Sequence, residues 1–173
     1  MSVLTADSRR DLEIHRYPVI LYGLGPLVAL VLQSWLPLLL GHYAWFDLPL
    51  VVTVYFALGR RSPIQGTIMG CATGLFQDAL TGHAIGINGI AKTVVGFLAA
   101  SVGIRIDVEN SIIRAGLIFL LSLLSSALCL FVNRLLLGLF VEINWPIEFC
   151  IAVVNSAIAL ALFPFLDRFQ LRD

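Results

Sequence analysis

The chain has 173 residues, 59% of them hydrophobic and 13% charged, with a mean hydropathy of +0.94. Soluble domains run near half apolar and a quarter charged, so this composition excludes an ordinary soluble domain and predicts an integral membrane protein. Eleven Lys and Arg balance eleven Asp and Glu, which gives no basis for nucleic-acid binding.

A hydrocarbon core about 30 Å thick takes about 20 apolar residues per helix, so this length predicts several spans in one compact all-α bundle. A cytoplasmic N-terminal segment over 1–16 is expected first. Runs bounded by charge, Pro or Gly then predict six transmembrane helices, at roughly 17–40, 47–59, 63–81, 87–104, 112–140 and 146–166. They form a single domain over 17–166, followed by a cytoplasmic tail over 167–173. The first run contains Pro26 and Pro37 and is not followed by a small-x-small site, which predicts no cleaved signal peptide.

Basic residues order these spans. Arg9, Arg10 and Arg16 precede the first helix, Arg60 and Arg61 separate the second from the third, Arg105 and Arg114 flank the loop after the fourth, and Arg168 and Arg172 follow the last. If the helices alternate, all lie on one side, and the opposite loops near 41–46, 81–86 and 141–145 hold no Lys or Arg. The positive-inside rule then places both termini in the cytoplasm, and adding or removing one span would scatter the charge over both faces. Trp35, Tyr43, Trp45 and Trp145 cluster toward the outer ends, where amphipathic rings prefer the headgroup layer.

In the third helix Gly66, Gly70, Gly74, Asp78 and Gly82 recur every fourth residue, a slowly winding stripe of small residues that lets another helix approach closely. Asp78 should therefore face a helix contact, about 22 Å along from Pro63 and close to the outer surface. A carboxylate there is costly, and the C-terminal end of its own helix disfavours negative charge. The candidate partner is Lys92, in the row Asn88, Lys92, Gly96 and Ala100 of the fourth helix, with Asn88 as N-cap after a tight turn. This pair can be read as a register-fixing ion pair or as a ligand site or relay.

Other polarity is sparse. Ser122, Ser125, Ser126, Cys129, Asn133 and Arg134 give the fifth helix a partly polar side, and Glu148, Ala152, Asn155 and Ala159 form a small-polar stripe on the sixth. Packing polarity is the expected role, with Arg134 and Glu148 able to pair. Cys71, Cys129 and Cys150 show no C-x-x-C pair and read as small packing residues, and His15, His42 and His83 read as surface histidines without metal spacing. The chain has no H-E-x-x-H, G-x-S-x-G or G-x-x-x-x-G-K, so no catalytic, cofactor-binding or metal residues are assigned and a non-enzymatic role is expected.

The run from Asp47 to Leu98 resembles the bacterial rod shape-determining MreD family: an Asp-led short hydrophobic helix, a basic turn, a Gly-rich helix ending in G-L-x-x-D, then a turn with G-x-x-x-G-x-N-G or similar. Its marks here are Asp47, Arg60, Arg61, Gly74, Leu75, Asp78, Gly82, Gly86, Asn88 and Gly89, in about a third of the chain. The resemblance implies a non-enzymatic scaffold of the cell-elongation machinery. MreC would be its direct partner, with MreB, the RodA glycosyltransferase and a penicillin-binding transpeptidase in the wider complex. It also implies a bundle similar to the S components of energy-coupling-factor vitamin transporters, which supplies the rival reading of a substrate-binding S component. That reading expects an A-x-x-x-A face on the first helix, whereas here Ala29 is followed by Gln33.

Overall fold

The computed structural model describes residues 19–40, 46–82, 84–105, 110–138 and 144–168. They form six helices and, among the described residues, no strand: α1 (Val19–Leu40), α2 (Leu48–Arg60), α3 (Pro63–Thr81), α4 (Ile87–Arg105), α5 (Ser111–Leu136) and α6 (Trp145–Asp167). The predicted N-terminal segment 1–16, residues 169–173 of the predicted C-terminal tail, the outer-loop positions Tyr43 and Trp45, and all three histidines lie outside the described residues, whereas Asp167, placed in the tail by the sequence, ends the last helix.

Five of the helices match the predicted spans to within two residues. The fifth stops at Leu136 rather than reaching 140. Its apolar run continues past that point, but Gly138 adopts φ +63°, a left-handed conformation that cannot extend a right-handed helix.

The short α2 is the centre of the bundle. At 13 residues it is about 20 Å long, well under the ~30 Å of a bilayer core. Every residue from Pro49 to Gly59 is buried, and α2 touches all five other helices. A helix apolar all round is one that protein surrounds. Around Phe56, the Tyr22 ring packs tilted and the Tyr55 ring edge-on at ring-centroid distances of 5.0 and 5.3 Å, and Tyr55 meets Phe163 of α6 at 4.8 Å. Farther along, the Tyr55 hydroxyl donates to Asp167 Oδ1 at 2.7 Å, and Arg114 Nη1 donates to Asp167 Oδ2 at 2.9 Å. These bonds tie α2, α5 and α6 together.

The outer helices are built the opposite way. α4, α5 and α6 are each long and apolar enough to cross a membrane. Large apolar side chains such as Leu27 and Trp35 on α1, Leu120 and Phe131 on α5, and Leu160 and Phe165 on α6 point outward. This apolar exterior around a partly polar interior suits a bilayer, and the chain is a membrane protein.

Candidate functional site: a charged hub at the start of α2

The glycine row of α3 packs on α4 with the backbones almost touching. A Cβ added at Gly66 would lie 2.4 Å from the Gly96 carbonyl oxygen, one at Gly70 2.0 Å from that of Lys92, and one at Gly74 2.3 Å from that of Asn88. Each step of four residues forward on α3 meets a step of four backward on α4, so the pair is antiparallel with Gly70 level with Lys92. Asp78 lies eight residues beyond Gly70, about 12 Å along the axis.

That register separates the two charges the sequence analysis placed together. Asp78 is fully buried and accepts from the turn and the start of α4: Gly86 N (2.8 Å) and Gly89 N (3.2 Å) bond Oδ2, while Asn88 N (3.2 Å) and Asn88 Nδ2 (2.8 Å) bond Oδ1. The acid sits at the C-terminal end of its own helix but also at the N-terminus of the next, where unpaired N–H groups and the macrodipole favour an anion. Asn88 is therefore not the N-cap expected for α4; it is one of the donors, and Asp78 does the capping from the preceding helix. Gly82 (φ +67°) and Gly86 (φ +111°) turn the chain tightly enough for this.

We expect Asp78→Ala to destabilise the protein by about 2 kcal/mol or more, because it strands several amide donors, and Asp78→Asn to cost less. Unfolding in mixed micelles with increasing dodecyl sulfate checks both.

Lys92 bonds a different acid. Its side chain is fully buried, and Nζ lies 2.5 Å from Asp47 Oδ2 in an ion pair between α4 and the residue preceding α2. Asp47 is the N-cap of α2: Oδ1 accepts from Leu50 N at 3.1 Å, ahead of a proline in the first turn. The Asp47 backbone N donates to Asn155 Oδ1 of α6 at 2.8 Å, and Asn155 Nδ2 donates to Ser122 Oγ of α5 at 2.9 Å. From α1, Gln33 Nε2 donates to the Phe46 carbonyl at 2.9 Å while Gln33 Oε1 accepts from Leu48 N at 3.1 Å. One end of α2 thus joins α1, α4, α5 and α6 through polar bonds, and α3 joins through the glycine contact with α4.

The remaining sequence candidates fall away from this hub. Arg60 and Arg61 end α2 at its other terminus; Arg61 is the left-handed C-cap (φ 50°), its N–H bonding the Ala57 carbonyl at 3.3 Å. Glu148 Oε2 accepts from Ser126 Oγ at 2.6 Å, a bond between α6 and α5. Cys129 Sγ lies 3.8 Å from Asn88 Oδ1, and Cys71, Cys129 and Cys150 are free thiols. Among the described residues no group of His, Cys, Asp and Glu could hold a metal ion. Buried atoms with no hydrogen-bond partner among the described residues are Thr53 Oγ1, Arg61 Nε and Gln77 Oε1.

Sequence reasoning missed the hub, though it had noted most of its members one at a time. The overlooked signal is Asp47-Leu48-Pro49, an acid followed two residues later by proline at the head of an apolar run, which is an N-cap signature. Beyond the helix terminus itself, the cation that compensates this acid is the buried Lys92.

No family model, curated protein or solved structure matches the chain.

Proposed function

We propose that this protein is a non-enzymatic scaffold of the bacterial rod complex, an MreD-type component with both termini in the cytoplasm. It would organise peptidoglycan synthesis with MreC as direct partner and MreB, RodA and the transpeptidase beyond. The observation that carries this reading is the hub: Lys92, Asp47, Asn155, Ser122 and Gln33 bond to one another and to backbone, holding four helices on the end of a buried fifth. A body cross-linked in this way presents its outer surfaces in fixed relation, which is what a partner needs in order to recognise one face and transmit position to another.

The same bonds weigh against the S-component reading, in which these polar groups would face a ligand rather than each other. The name rests on the sequence resemblance in the stretch Asp47 to Leu98.

The test is a pull-down of the tagged protein from its native membrane in mild detergent, with mass spectrometry of what copurifies. MreC together with elongation enzymes is the expected result. A pair of ATPases with a transmembrane coupling subunit would overturn the scaffold and support the uptake reading.

A further inference from the structure

A groove of about 600 Å³ runs along the outside of the bundle between α1 and α3, floored by Phe56 and Ala57 of α2. Its walls are almost wholly apolar, among them Leu27 and Val31 of α1 and Ile68, Ala72 and Phe76 of α3. The charged lining lies at one end, where Arg60 and Gln65 are grouped with Tyr22, and the hydroxyl of Thr73 farther along donates to its own helix at the Met69 carbonyl. Along α3 the groove extends from Gln65 to Leu80, about 22 Å, which exceeds the ~15 Å depth of one leaflet.

Arg60 is held at that end. Its guanidinium lies 4.4 Å over the Tyr22 ring, and its Nε donates to Gln65 Oε1. Among the described residues Gln65 is the only hydrogen-bond acceptor assigned to this guanidinium, so the Nη edge is left to bond another anion or acceptor.

We propose that this groove is a binding site for an anionic phospholipid of the leaflet on the Arg60 side, with one acyl chain along the apolar walls and the phosphate on Arg60. Two arguments select this occupant. The groove lies within the ~300–1,000 Å³ range of small-molecule sites, a size that suits a single acyl chain. A positive group fixed at the end of an apolar channel also matches the layout of a lipid, charged at one end and apolar along the rest. This inference does not depend on the scaffold reading.

The test is native mass spectrometry of the purified full chain, released from detergent after incubation with phosphatidylglycerol or phosphatidylcholine bearing identical acyl chains. The expected result is retention of one phosphatidylglycerol, favoured roughly fivefold over phosphatidylcholine. Arg60→Gln should abolish that preference while leaving chain binding, and Ala72→Trp should remove both lipids by filling the groove. Gly23→Leu is a second filling variant at a position with open space beside it, and circular dichroism of every variant establishes that it folds. Equal retention of the two lipids by the unmodified protein would overturn the proposal, as would unchanged phosphatidylglycerol binding in folded Arg60→Gln and groove-filled variants. A photo-crosslinking residue in place of Ile68 that captured a protein helix rather than lipid in native membranes would overturn it too.

Discussion

Replacing Asp47 with asparagine should destabilise the bundle by about 3–5 kcal/mol, the range expected when one partner of a buried ion pair is removed. Asparagine caps a helix as well as aspartate does, so the substitution isolates the charge from the cap. What remains is the Lys92 ammonium, with no exposed side-chain surface. Lys92→Met should fall at the lower end of the range, because the Asp47 side chain it leaves behind is 22% exposed and keeps its bond to Leu50 N at the α2 terminus. The double variant, in which no uncompensated charge remains, should lose clearly less than the two single losses added together, with a coupling of at least ~1 kcal/mol. Unfolding titrations in mixed micelles measure all three. Additive losses would show that the pair contributes nothing and would remove the hub as the bundle's organising contact. Asp78→Asn combined with Lys92→Met should show a much smaller coupling, because Asp78 bonds the turn amides instead.

The second large effect is at Gly70. A methyl there would stand 2.0 Å from the Lys92 carbonyl oxygen and 2.7 Å from its carbonyl carbon, both backbone atoms that cannot rotate away. Gly70→Ala must push α3 and α4 apart, and we expect a loss at or above the ~3 kcal/mol upper end of ordinary overpacking. This comes in spite of alanine's intrinsic helix preference of about 1 kcal/mol over glycine. Gly116 of α5 is the matched control: nothing lies within 4 Å of its added Cβ, so Gly116→Ala should be neutral or mildly stabilising. Gly70 touches the very residue that pairs with Asp47, so Gly70→Ala and Lys92→Met should be non-additive, and thermal unfolding of the single and double variants in detergent tests this. If Gly70→Ala is as benign as Gly116→Ala, the close approach of α3 and α4 is wrong.

Partner binding should follow these losses if the scaffold reading holds. Variants that loosen the hub would then weaken copurification more than their effect on total protein level, since they alter the relation between faces as well as the amount of folded chain.

The sequence by itself determined the membrane class, the six helices and the close contact of the glycine helix. Each is local: apolar runs of bilayer length, breakers between them, and a small residue at every fourth position, all written in consecutive stretches of chain. Tertiary structure alone decided which charge pairs with which. Asp78 and Lys92 are near in sequence and lie on adjoining helices, so local reasoning joins them, but the antiparallel register sets Lys92 level with Gly70 and leaves Asp78 to the N–H groups at the start of α4. Asp47 is 45 residues from Lys92 and 108 from Asn155. It meets them because α2 is enclosed by the other five helices, which bring residues from distant parts of the chain to its N-terminal end. A buried helix must bring partners for its own terminal charge and amides, and only the assembled bundle can say which residues those are.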